Sequence, residues 1–509
     1  MSFPPYIMSQ RSDKMANGPA FHVIVLGPTG GPREDSVTGI LVRSTSTHWA
    51  PESVVAVDAG TLLAGIIRLL ERYMPDCTNE EGVMTSGPFK GLELPSKTPQ
   101  ANGAHVFREL IGAVLITHPH LDHIAGLAIN TPILEAGNGP KSVAALPSVL
   151  SAIKNHMFND VIWPNLSDED GGAGLLTYQR LVEGGNPRFG RGETRGYVRA
   201  CNGLLTKCLS VSHGRCKQRY HPETGTHHRV GSTVFAEHQL MLPSRAISVD
   251  HTDGGFYSPA RSPRTLPSSN KEPAMATVES SAFFLRDHRT GDEIIVFGDV
   301  EPDSVSQEGH NKLVWEAAAP KIANGKLRAI FIECSYNDSI DDRYLYGHMC
   351  PRHLVAELSV LANKVMNVRD GNLGEKKRKR DSIVPIETGS EQVSPRSKRN
   401  QSTSGDRLEP RSHPGDYFEI PRLPRSDAQD YGDGGDHADV LDAPNPESWV
   451  DVSPLPLEGL KIYIIHIKEN LTDGPPPGEQ ILKELKERGE TAHLGCEFFL
   501  PDPTEGIWI

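Results

Sequence analysis

Three histidines and one aspartate fall within six residues in Thr117-His118-Pro119-His120-Leu121-Asp122-His123. The run follows the apolar stretch at 113–116, so it stands at the end of a buried strand. Burying so many polar groups is costly unless something binds them. Neutral imidazole and carboxylate suit zinc, and tight spacing at a strand end converges the side chains. A histidine-rich polar loop is the plain alternative, but HxHxDH directly after an apolar strand is the more specific signal.

A metal pair needs further ligands at later strand ends. Ser212-His213-Gly214 follows the alternating CLSVS, Gly298-Asp299 closes EIIVF, and His466 sits late in IYIIHI. The expected division gives His118, His120 and His213 to one metal and Asp122, His123 and His466 to the second, with Asp299 bridging. Each later residue also has a plainer reading. Asp299 could be a turn residue or helix N-cap, and His466 a satisfied strand histidine. His213 could be an ordinary loop histidine, with His221, His227, His228, His238 and His251 as competitors.

The elements that must position these groups can be read from periodicity. Residues 21–26, 38–43 and 54–57 read as strands, with DAGT at 58–61 closing the last. Residues 62–73 carry helical apolar spacing, 113–116 form a buried strand, and a helix opens at 124–127. Residues 282–285 and 293–297 form a hairpin across DHRTGD. A strand at 329–332, a helix from 351, a strand at 462–467 and a helix at 478–488 follow. Two β-rich halves with helices predict an α/β chain built as an αβ/βα sandwich. Residues 165–205 and 214–275 read as irregular. Residues 368–452 hold few apolar groups and cannot offset their ordering entropy. The predicted division is one domain from 21–367 and 453–509, a disordered insert at 368–452, and a tail at 1–20.

The run HPHLDHIAGL resembles the signature of the class II cyclic-nucleotide phosphodiesterases, a zinc-dependent group known from fungi and some microbes. NDVIWPNLSD at 159–168, SHG at 212–214, FGD at 297–299, IECS at 332–335, YGHMCPRHL at 346–354 and IIHIKEN at 464–470 occur in that family's order. Thr131-Pro132 and Ala128 depart from its pattern; both lie past the ligands and bear on packing. The resemblance implies a metallo-β-lactamase fold with long, partly disordered insertions and two zinc ions or other divalent metals. It implies hydrolysis of cAMP and cGMP to nucleoside 5′-monophosphates. A tRNA 3′-end endonuclease or a thioester hydrolase of the same superfamily is the alternative, and a non-catalytic scaffold is a third reading.

In the implied chemistry Asp122 orients the nucleophile as well as binding metal. His348 protonates the leaving ribose 3′ oxygen, with Glu333 setting its tautomer and raising its pKa. His353 is a second donor or a phosphate contact. Trp163 stacks on the base or belongs to the core. Asn165 reads a base edge or ribose hydroxyl, or serves its own loop.

Composition bounds these readings. The chain has 509 residues, 37% of them hydrophobic, with 48 glycines and 40 prolines, so a folded core is diluted by loops. The formal charge of −13 weighs against a dedicated nucleic-acid partner. Seven cysteines without a CxxC pair read as reduced thiols. No signal-peptide core or membrane-length apolar run is evident. The expected setting is cytoplasmic. The basic run at 375–380 fits either a nuclear-localisation patch or a solvated charge run. Homo-oligomerisation is compatible with all of this.

Overall fold

The apolar runs become two seven-stranded mixed sheets in this computed structural model, which describes residues 18–136, 139–230, 275–381 and 454–509. The first sheet takes β1 (Phe21–Gly27), β2 (Gly39–Ser44), β3 (Val54–Val57), β4 (Ile111–Leu115), β5 (Lys141–Ala145) and β6 (Leu176–Arg180) in sequence order. The second takes β7 (Val198–Cys201) and β8 (Leu204–Cys216), then β11 (Ala276–Asp287), β12 (Glu293–Phe297), β13 (Leu327–Glu333), β14 (Lys461–Ile465) and β15 (Glu497–Phe499). A separate hairpin pairs β9 (Gln218–His221) with β10 (Thr226–Arg229), and β16 (Ile507–Trp508) joins β1. In each sheet antiparallel pairs give way to parallel ones, from β3–β4 onward in the first and from β12–β13 onward in the second.

The α-helices among the described residues are α1 (Leu63–Tyr73), α2 (Pro99–His105), α3 (Leu121–Asn130), α4 (Pro147–Ala152), α5 (Asp303–Ser306), α6 (His310–Ala323), α7 (Pro351–Asp381) and α8 (Pro477–Thr491). Strand alternation explains how the second sheet buries both faces. Phe283, Leu285, Ile294 and Val296 enter a core shared with the first sheet, whereas Phe284, Ile295 and Phe297 pack with Trp315 of α6, Leu358 of α7 and Ile481 of α8. Each such side chain is worth about 1.5–3 kcal/mol of burial. On α1 the buried Ile66, Leu69 and Leu70 follow the one-face spacing of an amphipathic helix.

Three boundaries differ from the sequence expectation. Residues 165–205 are not wholly irregular, because they supply β6 and β7, the edge strands of the two sheets. These are short, and LTYQR and VRAC lack a long apolar run. Residues 214–230 finish β8 and build the β9–β10 hairpin. Helix α7 runs to Asp381, so the domain boundary expected at 367 falls inside a helix. The remainder of the expected insert, and residues 1–17 of the expected tail, lie outside the described residues. No helix among the described residues is long and apolar enough to cross a membrane.

Candidate metal centre

Parallel strands end together, and this chain places its polar residues where they end. His118, His120, Asp122 and His123 follow β4, Asp299 follows β12, and His466 follows β14. His213 comes from β8 and Glu333 is the last residue of β13. Ligand atoms of His118, His120, His213 and Asp299 lie within 4.8 Å of one another, and so do those of Asp122, His123, His466 and Asp299. Asp299 belongs to both groups. All seven residues expected as ligands are therefore brought into one cluster.

The outward nitrogen of most rings is already engaged. His123 Nδ1 lies 2.8 Å from Asp58 Oδ2, His466 Nδ1 lies 2.8 Å from Thr38 Oγ1, and His213 Nδ1 lies 2.9 Å from the Gly347 carbonyl. His118 Nδ1 lies 3.1 Å from Thr117 Oγ1. Such contacts set the tautomer and leave Nε2 for a metal. Two of the inner atoms are left unsatisfied. His123 Nε2 and Asp299 Oδ1 are 3.2 Å apart, both buried, and neither has a hydrogen-bond partner. A cation between the rings would relieve that cost, so the donors fit a metal.

The electrostatics differ from ring to ring: at His123 burial disfavours the charged form, but the Asp299 and Asp58 carboxylates raise its pKa well above the ordinary histidine value. Burial pushes His118 and His466 down, favouring the neutral imidazole a metal requires. Burial opposes ionisation of Asp299, but the surrounding His466, His123 and His118 hold its carboxyl well below the ordinary range.

Beside the cluster, His348 Nδ1 lies 2.9 Å from Glu333 Oε1. Glu333 also accepts from the Val300 and Met349 backbone N–H groups and the Ser335 hydroxyl. The pKa expectation for this pair needs correction. Burial pushes His348 down to about 4, although Asp299 pulls the other way, and burial lifts the Glu333 carboxyl to about 7. Desolvation of both partners outweighs their attraction.

The three expected substrate contacts stand elsewhere. His353 faces Cys350 Sγ at 3.4 Å and Asp342 Oδ1 at 3.4 Å. The indole of Trp163 packs against the core shared by the sheets. The Asn165 carboxamide accepts from the Ser167 N–H and hydroxyl and donates to the Glu169 carbonyl, so it is committed to its own loop. Among the competitors of His213, residues 221, 227 and 228 belong to the β9–β10 hairpin, and residues 238 and 251 lie outside the described residues.

Sequence reading missed Asp58, Thr38 and Lys468. Asp58 had a signal, a carboxylate directly after the apolar strand VVAV. Thr38 had none. Lys468 follows His466 by two positions, and its Nζ lies 3.0 Å from His466 Nε2 and 3.6 Å from Asp122 Oδ2 while donating to the Gly30 carbonyl.

A largely buried His/Asp cluster, open at His120 and Asp122, at the strand ends of an αβ/βα sandwich defines a metal-binding protein of the metallo-β-lactamase fold. The chain belongs to the class-II cAMP phosphodiesterase family, whose model matches residues 21–181 and 244–374. A 3′,5′-cyclic-nucleotide phosphodiesterase of Schizosaccharomyces pombe is 27% identical over 348 residues, covering 68% of this chain and 77% of that protein. 3′,5′-cyclic-nucleotide phosphodiesterase 1 of Saccharomyces cerevisiae is 26% identical over 391 residues, covering 70% and 86%. The crystal structure of unliganded yeast PDE1 superposes with a TM-score of 0.57 at 20% identity, over 96% of this chain and 100% of that one, and shows the shared fold.

Proposed function

We propose that this chain hydrolyses 3′,5′-cyclic nucleotides, cAMP and cGMP, to nucleoside 5′-monophosphates at a two-metal centre. The observation that carries the reading is the sharing of Asp299 by two four-donor groups. His118, His120, His213 and Asp299 would hold one divalent ion, and Asp122, His123, His466 and Asp299 the other. Imidazole and carboxylate donors suit zinc. Such ions supply positive charge against an attacking water and the phosphoryl oxygens.

The chain's own residues do the rest. Asp122, more exposed than the buried Asp299, orients the attacking water as well as binding. The water oxygen bonds to phosphorus while the bond to the ribose 3′ oxygen breaks, and that oxygen then needs a proton. Glu333 holds His348 by Nδ1, which leaves Nε2 to deliver the proton. Because the imidazole alone binds protons weakly in this environment, the His348–Glu333 pair holds the proton together, with Glu333 as its reserve.

The test is metal analysis of the purified protein with assays on cAMP, cGMP and a linear phosphodiester. About two metal ions per chain are expected, with cyclic-nucleotide hydrolysis lost on chelation and on His120→Ala substitution. Hydrolysis that persists in metal-free protein, or turnover confined to the linear diester, would overturn the reading.

A further inference from the structure

The β9–β10 hairpin lies outside the residues matched by the family model. Its register sets Tyr220 opposite His227 and Gln218 opposite Arg229, so Gln218, Tyr220 and His227 share a face. The turn is tied down, since the Ser151 hydroxyl donates to the Gly225 carbonyl at 2.7 Å. Tyr220, His227 and His156 form a run of rings, with centroids 5.3 Å apart for the first pair and 6.0 Å for His156 and His227.

That face lines a cavity of about 250 Å³ whose wall also includes His120, Ala152 and Glu279. His120 is the connection to the candidate metal centre, because its Nδ1 lies 3.1 Å from His118 Nε2 and 3.3 Å from His213 Nε2. Two further features point to a ligand. His227 Nδ1 is buried and has no hydrogen-bond partner among the described residues, an unmet cost that a bound polar edge would remove. Glu279, whose carboxylate accepts from the Ser210 and Ser148 hydroxyls, adds an acceptor suited to an amino group. An aromatic wall, an unpaired ring nitrogen and a carboxylate together suit a planar heterocycle carrying an amino substituent.

We infer that this cavity beside His120 is the subsite for the purine base of the cyclic nucleotide, and that Tyr220 and His227 on the hairpin select it. The inference rests on the proposed cyclic-nucleotide activity. The phosphate sits at the metal centre, the ribose passes His120, and the base lies against the hairpin. Tyr220 supplies the stacking surface, and His227 meets a nitrogen or amino group on the base edge.

The test compares kcat/KM for cAMP with kcat/KM for methyl ribofuranoside 3′,5′-cyclic phosphate, which keeps the reacting ring and lacks the base. In zinc-loaded protein Tyr220→Ala should lower this ratio by roughly 10-fold or more, a typical consequence of losing a base-stacking ring. Tyr220→Phe should keep the ratio near wild type, and His227→Ala should lower it through KM. Ala152→Leu, which fills the cavity, should lower it without touching the hairpin, and it decides the matter if Tyr220→Ala fails to fold. Zinc content and turnover of the base-free substrate report an intact centre in each variant. A ratio unmoved by both Tyr220→Ala and Ala152→Leu would overturn the subsite while leaving the cyclic-nucleotide activity standing. Wild-type protein that turns over neither cyclic substrate would overturn that activity and the subsite with it.

Discussion

Asp58 Oδ2 lies 2.8 Å from His123 Nδ1, while the same carboxylate accepts from the Thr117 N–H and hydroxyl. One buried carboxylate thus orients a ring at the centre and pins the strand end from which His118 follows. Asp58→Asn keeps the shape but removes the charge that favours the proton on Nδ1. Metal affinity should fall by about 10–100-fold, the usual scale for losing such an outer partner. Competitive titration with a chelator checks this, and wild-type affinity in the variant would refute it.

Gly30 tests the packing of the opposite edge. A Cβ at this position would lie 2.5 Å from His466 Nε2 and 2.8 Å from Lys468 Nζ. Gly30 does not have a positive φ, so Gly30→Ala acts through this crowding rather than through backbone strain. The variant should fold, with an unchanged circular dichroism spectrum, yet bind less than the wild-type complement of metal. Full metal content would show that His466 moves aside without consequence.

The proton donor can be separated from the ligands by leaving group. His348→Ala should still bind metal but hydrolyse cAMP about 10²–10⁴-fold more slowly, the typical worth of general-acid catalysis. The loss should shrink on a nitrophenyl phosphodiester, whose leaving group needs no proton. Glu333→Gln should reproduce part of the effect, whereas His120→Ala should impair both substrates alike. Equal losses in His348→Ala on both substrates would move His348 out of the acid role.

His22 predicts an acid-labile stability component far from the centre. Its ring stacks on Trp508 at 4.0 Å and its Nδ1 accepts from Arg43 Nε at 3.1 Å. Burial, then the neighbouring Arg43 charge, pushes its pKa from 6.5 to about 3. Between those values the unfolded chain binds the proton more readily than the folded one. The contribution is therefore complete above pH 6.5 and is lost as pH falls toward 3, at up to about 1.4 kcal/mol per unit. His22→Phe should be less stable at neutral pH, because Arg43 Nε loses its acceptor, but its stability should decline less steeply on acidification. Urea midpoints for both proteins across pH 7.5 to 4 give the comparison, and the difference cancels the titrations of the buried histidines at the centre. Parallel profiles would remove His22 from the account.

What the sequence determined by itself was local. The apolar run before Thr117 marks a buried strand, and the histidines directly after it must stand at the strand's end, because chain connectivity leaves them nowhere else. The same logic placed Asp299 after EIIVF and His466 at the end of its strand. The tertiary structure decided what depends on distance in space. His213 rather than His227 faces Asp299 because β8 pairs with β11 in a register that carries residue 213 to the strand ends, while the chain then turns away into the hairpin. The alternating CLSVS before residue 213 favours it locally, but that it reaches Asp299 is decided by the pairing of the sheet. The same dependence on distant partners holds for Thr38, which meets His466 across 428 positions of sequence, and for the edge strands β6 and β7, whose short polar runs gain strand geometry only from their neighbours. It holds also for His348 and Glu333: their pairing is suggested by residue type, but the direction of each pKa is set by how completely the fold removes both from water.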